Sequence, residues 1–186
     1  IKQNDTKTQA KIEIADICTG SGCIGISVYL EILNNCKNKD VHFVFTDISK
    51  DALAVAQKNA QNILAENAQN ISFVQGDLLE PVKPNTFDFI LTNPPYVPSK
   101  ITDELLKDGR SEPRLALDGG SDGLDLIRRM IPQVWQALNK NGILLIETGE
   151  YNAAETRTIL EKSGFADVKT FNDLGGQPRV TQARKP

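Results

Sequence analysis

In the stretch ILTNPPYVPS, Asn93-Pro94-Pro95-Tyr96 set an amide, a rigid carbonyl and an aromatic ring at the end of an apolar run. Two adjacent prolines continue neither a strand ladder nor a helix interior, because each lacks an N–H and has its φ fixed by the ring. A stiff Pro-Pro loop with Asn as a turn residue is the plain reading of the tetrapeptide alone. The chemical reading is a clamp. The Asn93 side-chain oxygen and the Pro94 carbonyl can each accept an N–H, and the Tyr96 ring can stack on a flat group.

A second constellation lies upstream. In DICTGSGCIG, Gly20, Gly22 and Gly25 spell GxGxxG where a strand passes into a helix. Glycines let the backbone turn tightly and approach a ligand, and a helix N-terminus offers free N–H groups. Asp47 ends the next strand 22 residues after Gly25, near the spacing of an acid that accepts from ribose hydroxyls. A nucleotide-like ligand follows, and two kinds compete: a dinucleotide such as NAD, or S-adenosylmethionine. Asp16 stands just before the glycines, and Asp77 ends a third strand in QGDLLEP. An acidic rim would repel a pyrophosphate and suits a ligand carrying an amine and a sulfonium. A helix cap or solvated loop end remains an equal reading for Asp77 alone.

These residues need elements to carry them. Strands are expected at 11–17, 41–47, 71–77, 87–93 and 142–148, and in FADVKTFNDL and PRVTQARK near the end. Helices are expected at 22–33 (Ile24, Val28, Ile32), at 49–64 (Ser49 as N-cap; Leu53, Ala56, Ala60, Ile63) and at 123–138 (Leu124, Ile127, Ile131, Trp135, Leu138). A fourth is expected at 153–164, closed by Gly164. Pro132 should kink the third of these. Residues 94 to about 120 read as a long Pro-, Gly- and charge-rich loop, and such loops are usually functional or disordered. Strands alternating with helices predict an α/β fold, a Rossmann-like, doubly wound, mostly parallel seven-stranded sheet with helices on both faces. The last two strands leave no room for a crossover helix, so one antiparallel strand is expected there. Residues 1–10 look frayed, and 11–186 form one domain.

Bulk composition narrows the classes. With 21 basic and 24 acidic residues the formal charge is −3, and the basic pairs Arg128-Arg129 and Arg184-Lys185 are short. No polyanion-binding signature results, so direct nucleic-acid binding is not expected. Three cysteines (Cys18, Cys23, Cys36) without CxxC spacing argue against a disulfide framework or zinc knuckle, and a reducing, cytoplasmic setting follows. His42 is the only histidine and sits in the apolar stretch VHFVF, so it reads as a sheet residue. Its solitude disfavours metal sites and a Ser-His-Asp triad. No apolar run approaches the roughly 20 residues of a membrane span. The chain starts with Ile and its one Met is Met130, which points to a piece of something longer.

FDFILTNPPY resembles the catalytic motif of class I methyltransferases acting on a nitrogen in a planar, conjugated system: adenine, guanine or glutamine amide. Such a nitrogen is a poor nucleophile, its lone pair delocalised into the adjoining π-system. As it takes a methyl group it gains positive charge, which Asn93 and Pro94 would favour through its N–H groups. RSEPRLALDGGSDGLDLIRRMI (110–131), GILLIETG (142–149) and NDLGGQPRVTQAR (172–184) further resemble the release-factor glutamine methyltransferases, the PrmC/HemK type, over residues 11 to 185. That resemblance implies methyl transfer from S-adenosylmethionine to the glutamine of the Gly-Gly-Gln loop of peptide chain release factors. By matching position, Thr19, Gly20, Ser21 and Gly22 would line the methionine part, with Asp16 and Cys18 beside them. Asp47 would hold the ribose, with Ile48 also at the cofactor, Asp77 and Leu78 would flank the adenine, and Asn93, which would border the cofactor as well, would hold the glutamine with Pro94, Pro95 and Tyr96. No metal is implied. Cys18 departs from the glycine common there, and the family's N-terminal helical substrate-binding domain is absent. The chain is therefore expected to bind cofactor well and protein substrate poorly. Glu112 and Glu147 read equally as substrate-facing or solvated. Competing readings are an adenine- or guanine-directed nucleic-acid methyltransferase, a cofactor-binding relative without catalysis, and an NAD-dependent oxidoreductase. The last leaves NPPY unexplained.

Overall fold

The computed structural model describes residues 11–36, 40–109 and 112–186. The expected fraying at 1–10 and the opening Arg110-Ser111 of the 110–131 motif lie outside the described residues. In chain order the elements are β1 (Ile12–Ile17), α1 (Cys23–Asn35), β2 (Val41–Asp47), α2 (Lys50–Leu64), a 3-10 turn (Ala65–Asn70), β3 (Ile71–Gln75) and β4 (Phe87–Thr92). They continue as α3 (Ser99–Lys107), α4 (Arg114–Leu117), α5 (Asp125–Ala137), β5 (Leu138–Glu147), α6 (Ala153–Lys162), β6 (Ala166–Asn172) and β7 (Pro178–Arg184).

The strands form one seven-stranded sheet in the order β3-β2-β1-β4-β5-β7-β6. All are parallel except β7, which runs antiparallel to both β5 and β6. Both faces are buried, which is why β1 is buried at four successive positions, Ile14 to Ile17, rather than at alternate ones. Ala15 and Ile17 face a core built with Ile127, Met130 and Ile131 of α5 and Leu160 of α6. Ile14, Phe43 and Phe45 face the other core, with Ile26 and Tyr29 of α1 and Ala56, Ala60 and Leu64 of α2. Among the described residues no helix is long and apolar enough to cross a membrane.

Several expectations need correction. The segment after Pro94 is not a structureless loop: it holds α3 and α4, stitched by Ser99 Oγ donating to Asp118 and by Arg114 bridging Asp103 and Asp118. Its charges masked two helical segments that these pairs tie together. In α2, Leu64 is buried and Ile63 exposed, because the helix meets the sheet along Leu53, Ala56, Ala60 and Leu64. The buried face of α1 is Gly25, Ile26 and Tyr29, with Ile24, Val28 and Ile32 on its flank. Helix α5 runs as one element through Pro132, whose exposed position lets water serve the Arg128 carbonyl that the proline, lacking an N–H, cannot. Strand β3 stops at Gln75, and β5 begins at Leu138, immediately after α5. Ser49 caps α2 as expected, its Oγ accepting from Ala52 N–H at 3.2 Å. His42 lies in β2, its Nδ1 2.6 Å from Glu13 Oε2 and its Nε2 3.0 Å from Ser72 Oγ. A hydrogen-bonded Ser-His-Glu row, unexpected for a lone histidine, thus ties three strands together at the sheet edge opposite the glycine turn.

Candidate active site

Sheet register brings the site together. Ile17 pairs with Thr46 on one side and Thr92 on the other, so the residues that follow, Cys18, Asp47 and Asn93, emerge side by side at the carboxyl edge. Thr92 also pairs with Ile146, which puts Glu147 beside Asn93, and Asp47 pairs with Gln75, just short of Asp77. This is where strand order reverses between β1 and β4, the usual ligand position in open α/β sheets.

A cavity of about 640 Å³ opens there. Of the residues singled out in the sequence, Cys18, Gly20, Ser21, Asp47, Ile48, Asp77, Leu78, Asn93 and Pro95 line it. Asp16, Thr19, Gly22, Pro94 and Tyr96 do not; they lie behind or beside it. The sequence reading missed the opposite wall, formed by Pro113, Leu115 and Ala116 of the α4 region with Val55, Leu126 and Arg129. A Pro preceding RLAL was the available signal for that helical turn. Glu112 also reaches the cavity, whereas Glu147 does not line it.

Asp47 organises the floor. Its Oδ2 accepts from Gly20 N–H and its Oδ1 from Ser49 N–H, both at 2.9 Å, joining the glycine turn to the start of α2. Each carboxylate oxygen keeps acceptor capacity for a ligand hydroxyl. Asp77 is paired with Arg129 of α5 at 2.5 Å across the cavity. Cys18 adopts a left-handed φ of 55°, and Leu78 one of 58°. That conformation costs a side-chain-bearing residue about 1–2 kcal/mol, which accounts for a position that favours glycine. Burial, then the charges of Asp47 and Asp16, push the Cys18 thiol up to about 12, so it lines the cavity as a neutral group.

Asp16 is 1% exposed. Its Oδ2 accepts from Thr19 Oγ1 at 2.6 Å and from Gly25 N–H at 3.0 Å, so it staples the turn from behind. Burial pushes its carboxyl up to about 6 from 3.8, against the lowering effect of those two bonds. A raised folded value means the folded state holds a proton that the unfolded chain has released. Stability from that proton is complete below about pH 4 and lost as the pH rises to about 6, on the order of 3 kcal/mol in all. Asp16→Asn should remove this slope, so urea denaturation between pH 4 and 7 will separate the variant from wild type. Parallel curves would contradict this account of Asp16.

The clamp itself sits at the lip. Asn93 is exposed, and among the described residues its side chain has no hydrogen-bond partner; Pro94 is buried behind it. Tyr96 is half-buried against the α5 core. Burial and then the Glu147 charge push its phenol up, with Arg179 of β7 pulling the other way, so the ring stays neutral. Gly119 donates to the Val97 carbonyl at 2.8 Å, and Val97 donates to that of Leu117 at 2.9 Å. The Gly119–Gly123 stretch is thus laced to NPPY.

Comparison with known proteins agrees with this geometry. The family model described as "Methyltransferase small domain" matches residues 3–111. The chain belongs to the methyltransferase small domain family. A release factor glutamine methyltransferase from Clostridium acetobutylicum is 37% identical over 174 residues, which cover 92% of this chain and 58% of that protein. A ribosomal protein uL3 glutamine methyltransferase from Francisella tularensis is 38% identical over 138 residues, 73% of this chain and 41% of that protein. The chain therefore spans about half the length of the curated relatives it matches. A SAM-dependent methyltransferase from Aquifex aeolicus shares the fold, with a TM-score of 0.61 at 17% identity, covering 94% of this chain and 82% of that one. The class I methyltransferase sheet expected from the sequence is the fold of this methyltransferase small domain.

Proposed function

We propose that this chain is the catalytic part of a cytoplasmic S-adenosylmethionine-dependent methyltransferase of glutamine side-chain amides, acting on the Gly-Gly-Gln loop of peptide chain release factors. The observation that carries the reading is Asn93: an exposed amide, unpartnered among the described residues, at the lip of a nucleotide-sized cavity, stiffened by two prolines, in a chain whose relatives are named for glutamine.

The cavity suits S-adenosylmethionine on its own features. Its volume lies in the range of small-molecule sites. A Cβ added at Gly20 would meet nothing within 4 Å, so the turn leaves open space before it. Ser21 and the turn, backed by Thr19, Gly22 and Asp16, would hold the methionine part; Asp47 and Ile48 the ribose; Asp77 and Leu78 the adenine. S-adenosylmethionine, when bound, supplies a methyl group on a cationic sulfur. The protein's own work is to hold the acceptor amide. The Asn93 side-chain oxygen and the Pro94 carbonyl accept its two N–H groups and favour the positive charge that grows on nitrogen as the N–C bond forms and the S–C bond breaks. Tyr96 borders the flat amide. No strong base is needed, because the cationic amide product sheds its proton to water.

The nucleic-acid alternative has no observation in its favour: the formal charge is −3, and the cavity carries Asp47 and Glu112 beside the Asp77–Arg129 pair. The two separate in one experiment. Full-length protein is given methyl-labelled S-adenosylmethionine with a release factor, with ribosomal protein uL3, or with RNA and DNA. Label on the release factor is expected. Label on nucleic acid, falling steeply with salt, would overturn the proposal, and label on uL3 alone would keep the glutamine and replace the partner.

A further inference from the structure

Asn152 occupies the N-cap position of α6, yet its side chain makes no capping bond. An Asn there ordinarily stabilises its helix by about 1 kcal/mol through its side-chain oxygen. Here the residue is 3% exposed and, among the described residues, its Oδ1 is buried without a partner. An orphaned buried acceptor costs about 1–3 kcal/mol. The amide is turned the other way. Its Nδ2 donates to the Tyr96 carbonyl at 3.0 Å and lies 3.4 Å from the Gly123 carbonyl, one oxygen from each of the two loops at the site. The reverse orientation would set oxygen against two carbonyls, so the arrangement is forced.

The Tyr96 carbonyl is held from other sides as well. Tyr151 Oη donates to it at 3.3 Å. Gly123 has φ +79°, and a Cβ there would stand 2.2 Å from the Tyr96 oxygen. Pro94 and Pro95 have fixed φ, so the freedom left in the clamp lies in its ψ angles. Pinning the Tyr96 carbonyl restrains the chain at the far end of that clamp. Local rules of helix capping and polar satisfaction are broken at Asn152 where function gains from it.

We infer that Asn152 is a positioning residue for methyl transfer: by fixing the Tyr96 carbonyl it sets the direction in which Asn93 and the Pro94 carbonyl face the acceptor amide. The inference rests on the proposed role of the NPPY loop, and Asn152 itself does not line the cavity.

Asn152→Ser separates this role from a structural one. Serine is a good N-cap but is too short to reach Tyr96, so it should restore the helix cap while releasing the pin. In the full-length protein the thermal midpoint should hold or rise, and the cofactor Kd should stay within about twofold, while kcat falls about 100-fold with release factor as substrate. Amide hydrogen exchange gives a readout that needs no substrate. Val97 and Ser99 N–H groups bond Leu117 and Gly120 carbonyls, and their exchange should quicken about tenfold in the variant. A kcat within about threefold of wild type, or a cofactor affinity that falls in step with kcat, would overturn the inference. If wild type itself fails to methylate the release factor, the proposed substrate falls, and unchanged Val97 and Ser99 exchange still overturns, or quickened exchange still supports, the pinning.

Discussion

Asn93→Ala is expected to lower kcat for methyl transfer about 10³-fold while leaving the cofactor Kd within about threefold of wild type. The amide nitrogen of a glutamine must give up conjugation with its carbonyl as it is methylated. An oxygen fixed beside its N–H groups gains strength as positive charge develops, so its removal is felt most in the transition state. Among the described residues Asn93 has no protein partner that could substitute, and it lies at the lip of the cavity rather than on the Asp47 floor. Asn93→Asp keeps an oxygen acceptor and should lose less than the alanine variant. Single-turnover rates and calorimetric titration of the cofactor measure the two quantities. Transfer by Asn93→Ala at near wild-type rate would remove Asn93 from the mechanism.

Gly25→Ala should have the second largest effect, on fold and cofactor affinity together. In a helix interior the change would ordinarily stabilise by about 1 kcal/mol. At this position the added Cβ would stand 2.4 Å from the Phe45 ring and 2.9 Å from Asp16 Oδ2. Phe45 cannot retreat: Phe43 and Phe73 pack edge-on at centroid distances of 5.9 and 5.4 Å. Overpacking of this kind costs about 1–3 kcal/mol, and displacing Asp16 strips the Gly25 N–H of its acceptor as well. The net expectation is a loss of about 2 kcal/mol in urea unfolding and at least about tenfold weaker cofactor binding. A variant as stable as wild type, with full affinity, would show that the turn tolerates movement.

Much of this was legible because strands buried on both faces are short apolar runs ending at an acid or an Asn. Asp47 and Asn93 could be placed at one sheet edge from sequence alone, and the pairing of Ile17 with Thr46 and Thr92 is the physical reason they meet. The opposite wall was not legible. Helices α3 and α4 are short and charged, and Arg114 holds them through Asp103 and Asp118, a pairing that periodicity does not register. Asp16 read as facing a cationic ligand, whereas the structure turns its Oδ2 inward to the glycine turn. Asn152 was invisible for another reason. It lies 56 residues from Tyr96 along the chain and looks like an ordinary helix cap. The left-handed backbone at Cys18 likewise carries no signature in a cysteine.

The central claim is the chemical group that receives the methyl. Full-length protein should be incubated with S-adenosylmethionine and a release factor, and in parallel with the same factor carrying Ala in place of the glutamine of its Gly-Gly-Gln loop. Peptide mass spectrometry then locates the product. One added methyl on the side-chain nitrogen of that glutamine, and none on the replaced factor, is the predicted result. Methylation retained on the replaced factor would contradict it.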